Sequence, residues 1–364
     1  MRITLLGAGH IGQTIARLLS GSGDYEVTVV DRSADALAKL PAAAVKTLQV
    51  DTSDAGALRQ AMQGQEAVVN ALPYHLATLA ATQARAARCH YFDLTEDVAA
   101  TKAIKDLAEG AATAFMPQCG LAPGFIGIVA HHLAGSFDTV HDVKMRVGAL
   151  PAFPTNALKY NLTWSVDGLI NEYVHPCEAI RDGRNIDVLP LEGLEHFSLD
   201  GTEYEAFNTS GGLGTLCETW AGRLQTLDYK SVRYPGHRDL MMMLLEELQL
   251  KNDTQTLKDI MRRSIPSTMQ DVVLVFVTVS GLRGGNLVQE VFARKIFADR
   301  SEGAPLSAIQ ITTAAGICAA LDLFREGRLP QRGFVRQEEV ALPAFLANRF
   351  GSAYQQSRQV ESIG

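Results

Sequence analysis

The sequence is poor in cysteine, in tryptophan and in clustered charge, and these shortages narrow the classes of protein it can be. Cys89, Cys119, Cys177, Cys217 and Cys318 are the 5 cysteines of a 364-residue chain, and none has CxxC or CxxH spacing. Neither a disulfide scaffold nor a zinc site is expected, and no metal ligands are assigned. The thiols read as reduced. Lys and Arg number 33 against 40 Asp and Glu, a formal charge of -7, with no basic run. That balance speaks against a nucleic-acid or anionic-membrane partner. No uninterrupted apolar stretch is long enough for a bilayer, and no cleavage-type segment follows the short basic, apolar start. The expected location is the cytoplasm.

What is present is ordinary globular composition, 47% hydrophobic and 20% charged, in a chain long enough for two domains. The opening residues are the most informative. Ile3-Thr4-Leu5-Leu6 runs into Gly7-Ala8-Gly9-His10-Ile11-Gly12 and then into the helix-like stretch Gln13 to Leu19. A strand, a glycine turn and a helix start in that order leave bare backbone N–H groups for a pyrophosphate. Val27-Thr28-Val29-Val30 follows and ends in Asp31, at about the twenty-residue spacing where a carboxylate grips the ribose hydroxyls of NAD. Arg32, next in the chain, would soften the repulsion of a 2'-phosphate and so admits NADP, while Asp31 favours NAD.

Beyond Asp31 the pattern alternates. Strands are expected at Val45 to Val50, Ala67 to Leu72, His90 to Leu94 and Thr113 to Met116. Helices are expected at Ala34 to Leu40, Ala55 to Met62, Leu76 to Ala87 and Ala99 to Glu109. This order gives an α/β fold with a doubly wound parallel sheet, whose strand ends carry the ligand. Asp51 stands where it could reach the adenine or simply cap a turn. Asn70, Leu72 and Pro73 end a strand near the cofactor's path, although Pro73 could merely stop that strand.

After Gly124 the pattern changes to period-two runs and hairpin signals. Asp142 to Val147 and Lys159 to Thr163 read as strands, Val166 to Tyr173 as a helix, and Phe197 to Phe207 as a hairpin around Asp200-Gly201. Asp271 to Ser280 pairs with Leu287 to Phe297 across Arg283-Gly284-Gly285-Asn286. These runs predict a second domain with an antiparallel or mixed sheet. Leu306 to Phe324 returns to helix, and residues 352 to 364 are polar enough to fray.

Three places could carry chemistry. Cys119 lies in a turn-rich hinge, Cys119 to Gly124, but hydride transfer needs no thiol nucleophile, which favours a small buried thiol. Arg233-Tyr234-Pro235-Gly236-His237 closes a strand and opens a helix. There Arg233 could clamp a carboxylate and His237 could act as an acid or base near neutrality, or the turn could be solvated with a capping histidine. Asp93 and Tyr160 are further polar groups at element ends.

In their order, Gly7 to Gly12, Ala71-Leu72-Pro73, Asp93-Leu94-Thr95-Glu96, Gly120-Leu121-Ala122-Pro123-Gly124, Leu162-Thr163-Trp164-Ser165, Ile170-Asn171-Glu172-Tyr173, Glu205-Ala206-Phe207 and Arg233 to His237 resemble the saccharopine dehydrogenase family. The likeness is strongest to its lysine 6-dehydrogenase-like branch. It implies a Rossmann domain, residues 1–124 with 305–364, and an inserted α/β (α+β) substrate and dimerisation domain with a mixed sheet, residues 125–304. It also implies an NAD(P)-dependent oxidoreductase acting on the C–N bond of lysine or a lysine adduct, assembled as a homodimer or higher homo-oligomer. Within that reading Arg233 holds a substrate carboxylate, His237 accepts or relays a proton, and Asp93 or Tyr160 orders the amine. Saccharopine oxidation, a carboxynorspermidine-type reduction and a non-catalytic nucleotide sensor are the alternatives. Saccharopine, with several carboxylates, would need more cations from Lys144, Arg146, Lys159, Arg181, Arg223 and Lys230.

Overall fold

The computed structural model describes residues 1–41, 43–299 and 305–355. They form two compact units, Met1–Ile128 with Thr312–Gln355, and Val129–Ile311. The chain passes from one unit to the other within the helices Phe125–Ala134 and Ala308–Arg325.

The first unit is built on strands β1 (Arg2–Leu6), β2 (Glu26–Asp31), β3 (Lys46–Gln49), β4 (Ala67–Asn70), β5 (His90–Asp93) and β6 (Ala114–Met116). A last short strand, β15 (Gly333–Phe334), joins them late in the chain. All pair in parallel, in the order β15-β6-β5-β4-β1-β2-β3. The central strands are continuous apolar runs: Ile3 to Leu6 and Ala67 to Asn70 are buried throughout, as a sheet covered on both faces requires. Strand order reverses at β1, between β2 and β4, so the first glycine turn lies at the sheet's switch point. Ala71 N–H donates to the Leu6 carbonyl there, at 2.8 Å. Asp322 ties later segments to this unit, accepting from the Tyr25 hydroxyl at 2.8 Å and from the side chains of Asn348 and Arg349.

The second unit carries β7 (Thr139–Pro151), β8 (Cys177–Arg181), β9 (Arg184–Val188), β10 (Glu195–Leu199), β11 (Thr202–Asn208), β12 (Thr226–Arg233), β13 (Asp271–Arg283) and β14 (Asn286–Phe297). The order β10-β11-β12-β7-β13-β14, with the β8–β9 hairpin attached to β12, makes a mixed sheet in which, among the described residues, β12 and β7 pair in parallel and the other neighbours antiparallel. Helices Val166–Val174, His237–Met242 and Thr254–Ser264 contribute Leu169, Ile170, Met241, Leu257 and Met261 to one buried cluster with Tyr160, Tyr173 and Phe207.

Several expectations need correction. Lys159 to Thr163 is a loop with a single bridge, Leu162 to Ser267. Its β-type composition is overridden because Lys159 adopts φ 50° and the Asn156 side chain bonds both N–H and C=O of Tyr160, satisfying the backbone locally instead of in a ladder. The β8–β9 hairpin was not anticipated, yet Asp182-Gly183 shows the same paired positive φ as Asp200-Gly201 and is a favoured two-residue turn. Ala308–Arg325 has a mean hydropathy of 1.2 over 18 residues and is long enough to cross a membrane, but is 83% buried within the fold. Finally, the segment expected to fray from residue 352 is partly anchored. Tyr354 is fully buried, stacks on Phe125 at 3.9 Å and donates to the Thr312 carbonyl; residues 356–364 lie outside the described residues.

Candidate functional site

The nucleotide end is assembled by three strand termini. Gly7 takes φ +97° and its N–H donates to the Val30 carbonyl at 2.8 Å, which draws the turn against β2. One Asp31 oxygen accepts from Ala8 N–H at 2.7 Å and the other from Ser33 N–H at 2.8 Å. A carboxylate has about four lone-pair sites, so room remains for ribose hydroxyls. Gly9 caps helix His10–Gly21 with no side-chain hydrogen bond, and a Cβ built on it would meet nothing within 4 Å. His10 is exposed, Ile11 half-buried and Gly12 buried, the last with no room for a Cβ against the Gly7 carbonyl. Bare helix N–H groups facing open space, with an acid fixed beside them, fit a dinucleotide diphosphate and ribose.

The neighbouring candidates divide. Asn70 is buried and structural in its bonds, donating to the Tyr91 hydroxyl at 3.0 Å and accepting from Leu72 N–H at 3.1 Å. It thereby shapes the Ala71-Leu72-Pro73 rim that touches Gly7. Pro73 starts the short turn Tyr74–Leu76. Exposed Asp51 folds back on Ser53, accepting from its N–H at 3.0 Å and its hydroxyl at 2.7 Å, and these bonds hold its carboxyl below the usual range. Arg32 is exposed, its carbonyl accepting from the Gln49 amide. Cys119 is buried, donates to the Met116 carbonyl at 3.1 Å and accepts from Gln337 at 3.2 Å. Burial pushes its thiol far up, away from thiolate chemistry.

Asp93 also belongs to the first unit and is wholly buried. It accepts from the Tyr91 hydroxyl at 2.9 Å and from the N–H groups of Thr95 and Gln118 at 3.0 and 2.9 Å. Burial outweighs these bonds and pushes its pKa up to about 6. Nearby Glu96, not picked out from the sequence as a site residue, is pushed up to about 7 by desolvation and then by the Asp97 and Asp93 charges. The raised Asp93 value has a sign. Below about pH 4 the carboxyl is protonated folded and unfolded, and stability is unaffected. Between about pH 4 and 6 the folded state still holds a proton that the unfolded chain has released, so stability falls across that window by about 3 kcal/mol and is level above it. Asp93→Asn keeps an acceptor for both N–H groups and can donate to Tyr91. Its Tm is expected to gain on the parent between pH 4 and 7 in a thermal-melt series; parallel curves would contradict the assignment.

The second cluster lies in the other unit, at the C-terminal end of β12. Arg233 is 3% exposed and His237 fully buried. Arg233 Nε–H donates to the Tyr173 hydroxyl at 3.0 Å and Nη1 to the Val232 carbonyl at 2.8 Å. Its guanidinium lies 5.3 Å from the Tyr160 ring centre and 5.9 Å from that of Tyr173. Burial works against its charge, but the Tyr173 and Tyr160 phenols and the Glu172 carboxylate prevail and keep it protonated. His237 is held differently from the expectation of a near-neutral titration. Burial first, then the Arg233 charge, push it down to about 3. The turn itself is partly open to solvent, with Gly236 exposed and Tyr234 and Pro235 half-buried, but it is pinned from two sides. Glu205 accepts from the N–H groups of Gly236 and Arg238 at 2.8 and 2.6 Å, and Lys159 Nζ donates to the Pro235 carbonyl at 2.9 Å.

Within the second unit Arg233, His237 and Tyr160 are thus brought together, Asp93 belongs to the first unit, and Tyr173 and Glu172 complete the group, neither being a site residue expected from the sequence. Their sequence signal was the helix Val166 to Tyr173 itself: Asn171, Glu172 and Tyr173 are polar or polar-tipped residues all within its buried positions.

A parallel Rossmann unit with an open, acid-flanked glycine turn, joined to a mixed-sheet unit with a buried cationic cluster, defines a two-domain NAD(P)-binding protein. Residues 3–115 match the saccharopine dehydrogenase NADP binding domain and residues 120–350 the saccharopine dehydrogenase C-terminal domain. The chain belongs to the saccharopine dehydrogenase family. It is 23% identical over 269 residues to the NADP(+), L-glutamate-forming saccharopine dehydrogenase of Saccharomyces cerevisiae, covering 69% of this chain and 59% of the yeast protein. It is also 23% identical over 199 residues to the mitochondrial alpha-aminoadipic semialdehyde synthase of Mus musculus, covering 51% of this chain and 21% of that protein. The matches therefore span less than two thirds of either relative. The apo histidine-tagged L-Glu-forming saccharopine dehydrogenase from Saccharomyces cerevisiae shares the fold, with a TM-score of 0.78 at 16% identity over 94% of this chain and 96% of that one.

Proposed function

We propose that the protein is an oxidoreductase that uses NAD(P), with NAD favoured by Asp31, to oxidise the C–N bond of lysine or a lysine adduct. The observation that carries this reading is the buried Arg233 guanidinium, set among phenols and one carboxylate at a strand end. Such a charge is suited to gripping one carboxylate where water is excluded. The cations that would serve a substrate with several carboxylates are engaged elsewhere. Arg146 and Lys230 are buried against Glu195, with Asp228 also on Arg146, while Lys144, Lys159, Arg181 and Arg223 are exposed. This distribution favours lysine over saccharopine, although the names of the relatives keep saccharopine as the second reading.

A bound nicotinamide supplies the hydride acceptor. The chain's own part is positioning. Arg233 holds the carboxylate and Tyr160, fully buried beside it, orders the amine. His237 is uncharged and its ring nitrogens are occupied, so it does not take the amine proton, and the substrate enters as the free amine that alkaline conditions favour. The five thiols, all buried and unpaired, suit the reducing cytoplasm, and β14, an edge strand exposing Leu287 and Val291, suits a homodimer or larger homo-oligomer.

The test is NAD(P)H absorbance at alkaline pH with lysine, saccharopine and carboxynorspermidine, each with NAD and NADP. Lysine with NAD is expected to give the largest kcat/KM. No reduction with any of the amines would favour a nucleotide sensor.

A further inference from the structure

Three segments distant in sequence meet at His237. Nδ1 lies 2.9 Å from the Leu158 carbonyl, and Nε2 lies 3.2 Å from the Tyr173 hydroxyl. The Tyr173 oxygen in turn lies 3.0 Å from Arg233 Nε. Both ends of this chain of bonds have a fixed sense. A carbonyl can only accept, so Nδ1 carries the hydrogen and Nε2 bears a lone pair; a guanidinium can only donate, so the Tyr173 oxygen accepts there and spends its single O–H on Nε2. The other tautomer would set a lone pair against the Leu158 carbonyl and an N–H against the Tyr173 hydroxyl, which would then lack its acceptor.

We propose that Tyr173 is the positioning residue of the Arg233 site, holding the guanidinium in one orientation through a one-way relay that ends on His237 and the Leu158 carbonyl. The proposal rests on the reading of Arg233 as the carboxylate grip and assigns His237 an anchoring part in place of acid–base chemistry. The relay also ties the 156–160 loop to the strand-to-helix turn, in parallel with the Lys159 to Pro235 bond. Tyr173 is held for this task, since its ring meets Phe207 edge-on at 5.7 Å and is buried. Its own phenol is pushed far up by burial and stays protonated, as a donor must.

The experiment has two parts. In the whole wild-type protein, 15N-histidine NMR is expected to show His237 as the Nδ1–H tautomer, with a hydrogen-bonded, unprotonated Nε2, unchanged from pH 5 to 8. An Nε2–H tautomer or a titration in that range overturns the relay. Tyr173→Phe removes the hydroxyl alone, and is expected to raise KM for the amino-acid substrate about tenfold with kcat within about threefold, and to shift the His237 Nε2 signal. A lost fold would show as a collapsed Tm, and the wild-type spectrum then decides. An unchanged KM in folded Tyr173→Phe overturns the positioning role. If no amino acid is oxidised by the wild type, the substrate reading has failed, and the tautomer still judges the relay independently.

Discussion

Replacing Arg233 with alanine is expected to raise KM for the amino-acid substrate about 30- to 150-fold, the ~2–3 kcal/mol of a buried, charge-assisted hydrogen-bonded pair. The turnover number should change much less, because a carboxylate far from the reacting carbon is held equally in the ground and transition states. Stability will fall as well. Arg233 is 3% exposed, and its removal takes its charge away from the buried Glu172 and leaves the Tyr173 oxygen without its donor. Arg233→Lys separates the two effects. It keeps the charge beside Glu172 but lacks the planar fork that bonds Tyr173, the Val232 carbonyl and a carboxylate together. Its Tm should stay nearer the parent while KM rises at least tenfold. Near-parental KM in both variants, measured with folded protein, would remove Arg233 from the substrate site.

The difference in how far each unit could be read from sequence has a physical cause. The glycine turn, β1, β2 and Asp31 announce themselves because their determinants are local: apolar runs, glycines at fixed offsets and an acid at the end of the next strand. The parallel sheet follows from the same alternation. In the second unit the decisive contacts join residues 60 to 79 positions apart, from Tyr173 to Arg233 and from Leu158 to His237, and no periodicity encodes them. Thus the Arg233–His237 pair could be named but its electrostatics could not. A histidine four residues after a buried arginine reads as a titrating group until burial and that neighbouring charge are seen to hold it neutral. Lys159 to Thr163 failed for a related reason. Its residue types suit a strand, but an asparagine side chain four residues back from Tyr160 captures the backbone bonds that a strand would have used.

Two glycines of the nucleotide turn should fail in opposite ways when each gains a methyl group. Gly9 is extended at φ -68° and ψ -176°, open to any residue, and its Cβ would point into free space. Gly9→Ala should therefore keep its Tm within a degree or two of the parent. Yet that space adjoins the bare N–H groups at the start of the helix, so a methyl there competes with the diphosphate, and Kd for NAD should rise at least about tenfold. At Gly12 the built Cβ falls 2.0 Å from the Gly7 carbonyl oxygen and 2.9 Å from its carbon, backbone atoms that no rotamer change can clear. Alanine suits a helix better than glycine by about 1 kcal/mol, but forcing the helix off the turn costs about 2–3 kcal/mol. That overpacking exceeds the propensity gain, and the net loss of about 1–2 kcal/mol should lower Tm by a few degrees. Calorimetry and NAD titration of both variants give the comparison. Full NAD affinity in Gly9→Ala would mean that the diphosphate does not lie over this turn, and the cofactor assignment of Asp31 would fall with it.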